Sequence, residues 1–145
     1  MLDPINERDM PGYFLNDIDA AAALIEGVGL PNLALQFDLY HYQIIHGDVT
    51  TRTRRLMPVI GHVQVASVPS RHEPDGEELA YPFLFAELDQ LSYAGFVGCE
   101  YRPKVGMLAG LGWFAPHGGT PAVGTSGKGA ASGSARWHGV RGMRS

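Results

Sequence analysis

Apolar positions in this chain switch repeatedly between two periods. "DIDAAAALIEGVG" (17–29) repeats them at helical spacing, with Asn16 or Asp17 placed to cap the start and Gly27 and Gly29 to stop the end. "LALQFDLY" (33–40) reads as a strand, and "IGHVQVASV" (60–68) as a β-branched one. Between them, "HYQIIHGDVTTRTRRLMPVI" carries helical material, broken near Gly47, with Asp48 capping the second piece. "YPFLFAELDQLSYAG" (81–95) returns to helical spacing and ends in Gly95, and "FVGCEY" (96–101) is another strand. With Met1–Ile5 as the stub of a first strand, the order is β-α-β-α-β-α-β. Strands separated by helices need right-handed crossovers and build a parallel sheet, so the predicted class is α/β.

Residues 114–145 break the pattern. This Gly-, Ser- and Ala-rich stretch offers no apolar periodicity to bury and is expected to be largely disordered. That leaves residues 1–113 as the folded domain. All 15 acidic residues lie in that domain beside 7 basic ones, for a net charge of about -8, while the tail carries +4. A body this acidic argues against nucleic-acid binding. A single cysteine, Cys99, excludes an internal disulfide and suits a reducing cytoplasm, where it reads as a small structural hydrophobe. No run approaches the roughly 18 apolar residues of a membrane span.

Candidate chemistry sits where strands end. Asp3, Asp38, Gln64 and Glu100 each fall near the C-terminal end of a strand, at intervals of 35, 26 and 36 residues. Each interval is about one β-α unit. In parallel α/β folds those ends share one face, where ligands bind. Three carboxylates and an amide oxygen gathered there suit a hard divalent cation such as Mg2+ or Mn2+. Taken singly, each acid also reads as a helix cap or a solvated loop residue, and His62 as a satisfied core histidine. His41, three residues after Asp38, can reach the same face.

The motifs "DPIN", "PNLALQFDLYHYQ", "IGHVQVASVPSRHEP", "YPFLF" and "SYAGFVGCEYRP" together resemble the hydroxypyruvate isomerase family, a branch of the xylose isomerase-like TIM barrels. The resemblance runs from Met1 to about Trp113. It implies a (β/α)8 barrel of roughly 250 residues, of which this chain supplies strands five to eight with their helices. It implies Asp3 and Glu100 as the pair of proton-transferring carboxylates, and Asp38 and Gln64 as the other metal-site positions. It further implies His41 as a substrate-binding histidine and Arg71 as the arginine facing the substrate's carboxylate. On its residues alone, Arg71 also reads as a surface salt-bridge partner. In the family the first acid is a glutamate, in the form E-P-I-N, whereas this chain has Asp3.

The implied reaction interconverts hydroxypyruvate and tartronate semialdehyde through an enediol, assisted by Mg2+ or Mn2+. A related sugar acid such as 2-oxotetronate is an alternative substrate, and a catalytically silent relative acting through chain pairing is an alternative role. A half-barrel also has consequences for assembly. Its edge strands are left bare, and Phe37, Val63, Val65 and Phe96 or Val97 are expected on an inner face that has lost its neighbours. Homo-oligomers or aggregates are the expected result.

Overall fold

The computed structural model describes residues 1–106, 109–117 and 136–140. Its first helix, α1 (Ile18–Val28), begins where the Asp17 carboxylate accepts the Ala20 N–H at 2.9 Å. It ends at Gly29, whose φ of 64° lets its N–H turn back to the Ile25 carbonyl. One face of α1, formed by Ile18, Ala21, Ala22 and Ile25, is buried.

Strand β1 (Leu35–Asp38) is shorter than the 33–40 predicted. The Asp38 side chain accepts the Tyr40 N–H and starts helix α2 (Leu39–Ile45) at once. α2 stops at His46, and after Gly47 (φ 66°) the chain enters α3 (Val49–Leu56). Asp48 stands at the cap position of α3 in a left-handed conformation, φ 49°, and its side chain makes no capping hydrogen bond. The expected cap is therefore absent, because this backbone geometry differs from the extended one in which a cap side chain reaches the first helical N–H groups.

A 3-10 turn (Met57–Val59) leads into β2 (Ile60–Val65), helix α4 (Tyr81–Gln90) and β3 (Phe96–Cys99). The described chain continues with a 3-10 segment, Ala109–His117, and with β4 (Arg136–Val140).

The sheet is parallel in the order β1-β2-β3-β4, and a bridge from Leu2 to Leu35 lays the chain start beside β1. Five residues of the stretch expected to be largely disordered, Arg136–Val140, pair with β3 as β4. Pairing with the open edge of β3 uses backbone donors and acceptors and needs no apolar period. The remaining tail positions, 118–135 and 141–145, lie outside the described residues.

The register puts Asp38 beside Gln64 and Gln64 beside Gly98, so the strands end abreast. Side chains alternate between the two faces of the sheet. Leu35, Phe37, Val63, Val65 and Val97 are all buried, at 0–1% exposure, in the core they share with α1, α2 and α4. Each such side chain contributes about 1.5–3 kcal/mol. Gln36, His62 and Gln64 take the other face and are half-buried.

This reverses the expectation that Phe37, Val63, Val65 and Val97 line the inner face. The apolar set belongs to the helix layer, and the face that a barrel would enclose is polar. Phe96, at 37% exposure, is more open than the buried set. His62 is likewise no core histidine: it shares a face with Gln64, its ring close to Gly98, where an added Cβ would lie 2.8 Å from Nε2.

Candidate active site at the strand ends

The first acid follows directly from the Leu2 bridge. Asp3 Oδ2 accepts from Gln36 Nε2 at 2.7 Å, and the same nitrogen donates to Gln64 Oε1 at 2.9 Å. Gln36 thus ties two of the predicted site residues together. The other oxygen, Asp3 Oδ1, is buried without a hydrogen-bond partner. Burial, and then the charge of Glu100, push the Asp3 carboxyl up to about 6.

Asp38 is at once a helix cap and a site acid. Its Oδ1 accepts the Tyr40 N–H at 2.9 Å, while Oδ2 lies 3.8 Å from Arg71 Nη2 and 3.8 Å from His41 Nε2. Burial pushes its carboxyl up to about 7, although the Arg71 charge pulls the other way. Glu100 brings Oε1 within 3.5 Å of the same Arg71 Nη2.

Arg71 is the hub of this group. It stands in the loop after β2 with φ 57°, a left-handed conformation that bulky residues rarely hold. Backbone bonds brace it on both sides: its N–H donates to the Ser67 carbonyl, and its own carbonyl accepts from the Arg102 N–H. Its Nη1 donates to Asp9 Oδ2 at 3.3 Å, and its guanidinium carbon lies 4.7 Å from the centre of the Tyr40 ring. At 5% exposure it is no surface salt-bridge residue. It is instead a buried ion-pair residue, set between Asp9, Asp38 and Glu100.

His41 is buried as well, held through its Nδ1 by Asn6, whose Nδ2 lies at 2.6 Å and backbone N at 3.3 Å. Burial, reinforced by the Arg71 charge, pushes its ring down to about 4, so it is neutral near pH 7. Cys99 is inert here: its thiol is buried and pushed up to about 12.

The structure therefore places Asp3, Asp38, Gln64, Glu100, His41 and Arg71 around one region, linked through Gln36 and Arg71. Gln36, Asn6, Asp9 and Tyr40 were not anticipated. Two of them had a readable signal: Gln36 lies two residues before Asp38 on the same face of its strand, and Asn6 closes the "DPIN" motif. Asp9 and Tyr40 had none.

The donor set fits a hard divalent cation in kind, since it offers three carboxylates and an amide oxygen. The orphaned Asp3 oxygen leaves one of these acceptors without a donor, and burial raises the Asp3 and Asp38 carboxyls toward neutrality. In arrangement the fit is incomplete. Among the described residues, no group of three or more His, Cys, Asp or Glu side chains is placed to hold an ion. Gln36 Nε2 stands between Asp3 and Gln64, and Arg71 Nη2 between Asp38 and Glu100.

Comparison with known proteins agrees with this architecture. The chain is 55% identical over 117 residues to a 2-oxo-tetronate isomerase of Cupriavidus necator, covering 81% of this chain and 45% of that protein. It is 40% identical over 117 residues to hydroxypyruvate isomerase of Escherichia coli, again 81% against 45%. A crystal structure described as AP endonuclease, family 2, from Brucella melitensis superposes with a TM-score of 0.77 at 50% identity, covering 79% of this chain and 45% of that one. The chain thus spans about half the length of these relatives. Over residues 1–117 it matches the xylose isomerase-like TIM barrel, and it belongs to that family.

Proposed function

We propose that this chain carries the strand-five-to-eight half of an isomerase site for small hydroxy-oxo acids. Its first candidate reaction is the interconversion of hydroxypyruvate and tartronate semialdehyde, and its setting the cytoplasm. The observation that carries the proposal is the coupling of Asp3 to Glu100 beside a buried arginine. Burial, and then the Glu100 charge, raise Asp3 to about 6, and Arg71 lies 3.5 Å from Glu100. Moving a proton between adjacent carbons needs one group that accepts and one that returns it, and a carboxyl near 6 exchanges protons readily around neutral pH.

In the proposed step, one of the two carboxylates removes the proton from the hydroxymethyl carbon of hydroxypyruvate, and the resulting enediol is reprotonated at the neighbouring carbon. No oxidant or reductant is consumed. Arg71 offers a planar donor fork to the substrate's carboxylate, and neutral His41 offers a hydrogen bond to a substrate oxygen. Mg2+ or Mn2+, held by Asp3, Asp38, Gln64 and Glu100 once Gln36 and Arg71 give way, would polarise the carbonyl and steady the developing negative charge. The relative of Cupriavidus necator makes a 2-oxotetronate the alternative substrate of the same reaction class. A silent, pairing-only role is the alternative for a chain of half the relatives' length. The acidic face disfavours a DNA substrate, although the Brucella melitensis protein bears an endonuclease name.

The test is proton NMR of hydroxypyruvate with the chain and Mn2+ or Mg2+, in deuterated water. Tartronate semialdehyde formation with deuterium incorporation is expected, and Glu100→Gln should abolish it, because an amide cannot carry the proton. Turnover undiminished in Glu100→Gln would overturn the mechanism.

A further inference from the structure

We infer that Asn6 is a positioning residue that fixes His41 as the tautomer protonated on Nε2, so that the ring serves the site as a hydrogen-bond donor and not as a base.

The backbone N–H of Asp9 donates to Asn6 Oδ1 at 2.9 Å. A backbone nitrogen only donates, so the oxygen of the Asn6 amide must be the atom facing it, and this settles which way the amide is turned. The amide nitrogen then faces His41 Nδ1 at 2.6 Å, with its second hydrogen near Asp9 Oδ2 at 3.4 Å. The Asn6 backbone N–H, again a donor only, reaches the same Nδ1 at 3.3 Å. With two N–H groups aimed at it, Nδ1 must offer its lone pair. A neutral imidazole carries one proton, and that proton is left on Nε2.

Nε2 is the atom on the site side of the ring, 3.8 Å from Asp38 Oδ2. That gap is too long for a direct hydrogen bond, which leaves the Nε2 proton available to a substrate oxygen. Both side chains are held rigidly: Asn6 is 1% and His41 3% exposed. The turn from Asn6 to Asp9 thus sets the proton position on a ring 35 residues away. The tautomer follows from this geometry alone, whereas the donation to a substrate oxygen rests on the isomerase reading.

Nitrogen NMR of the full chain, 15N-labelled and near neutral pH, tests it. We expect the His41 ring to show a bare Nδ1 and a protonated Nε2, with a 15N–15N coupling across the Asn6 Nδ2–H···Nδ1 bond. A protonated Nδ1, or a rapidly exchanging mixture of tautomers, would overturn the inference with no variant needed. In Asn6→Asp the carboxylate has no hydrogen to give and should draw the proton onto Nδ1; an unchanged ring in the folded variant would remove Asn6 from the role. If the chain turns over hydroxypyruvate, the same variant should lower kcat on the order of 10²-fold, the scale of losing one donor to a developing oxyanion. A correct tautomer without turnover would sink the isomerase reading alone, and turnover with Nδ1 protonated would sink this inference alone.

Discussion

Replacing Asp38 by asparagine should make this protein more stable at alkaline pH and leave it nearly unchanged in acid. Asp38 is almost wholly buried, and burial lifts its carboxyl from the ordinary 3.8 to about 7. Because the folded value lies above the unfolded one, the folded state favours the protonated form. Below pH 3.8 both states are protonated and nothing is lost. Stability then falls as pH rises from about 4 to about 7, and the full deficit is present above that. At 1.36 kcal/mol per unit between the two values, the deficit is about 4 kcal/mol. Asparagine keeps an Oδ1 to accept the Tyr40 N–H, and it caps helices as well as aspartate does. It carries no charge to bury, and Arg71 retains Asp9 and Glu100 as partners.

Urea unfolding of wild type and Asp38→Asn, followed by circular dichroism at pH 4 and pH 8 with chelator present, measures the difference. We expect the curves to lie close together at pH 4 and the variant to gain several kcal/mol at pH 8. A variant equal to or weaker than wild type at pH 8 would refute the reasoning, since Arg71 would then be compensating the Asp38 charge in full. The variant also loses one proposed cation ligand, so a gain in stability should accompany a loss of activity.

Asp3→Glu, which restores the residue of the family motif, should raise hydroxypyruvate turnover by up to about 10²-fold, because a misplacement of about 1 Å costs that much; an initial-rate comparison checks it. Gly98→Ala should destabilise the fold by about 1–3 kcal/mol, because the new Cβ would meet His62 Nε2 at 2.8 Å and the ring must move; a chemical melt reads this, and an unchanged midpoint would show that the ring yields freely. Sedimentation velocity at micromolar concentration should show a weak, concentration-dependent dimer, since Leu2 bridges β1 on one side only and among the described residues no strand lies on its other side; a sharp monomer at every concentration would end that expectation.

The positions of the strands were legible because β-branched runs alternate with helical periods between clear Gly stops. The four polar strand ends were legible because one β-α unit separates each from the next. Which face of the sheet was which could not be read. In a barrel both faces of a strand are covered, so Val63 and Val65 look equally suited to either side, and only the placement of α1, α2 and α4 decides between them. Arg71 hid its burial for another reason: a charged residue in a Ser-Pro-rich loop looks exposed until its partners are known, and Asp9 lies 62 residues away. The Asn6–His41 contact spans 35 residues and carries no periodicity, so neither residue announced the other. The shorter β1 and the uncapped start at Asp48 turned on backbone angles that residue type alone does not set.

The two-faced sheet changes how these strands would meet the rest of a barrel. Its greasy side is already sealed beneath its own helices, and the opposite side is lined with amides, imidazole and carboxylates that water can wet. That face of the sheet offers little oily surface to drive association. Closure would have to come from main-chain hydrogen bonding along two seams, with solvent caught between. A joint of that sort is soft and slow to choose a partner, and it opens again at modest cost.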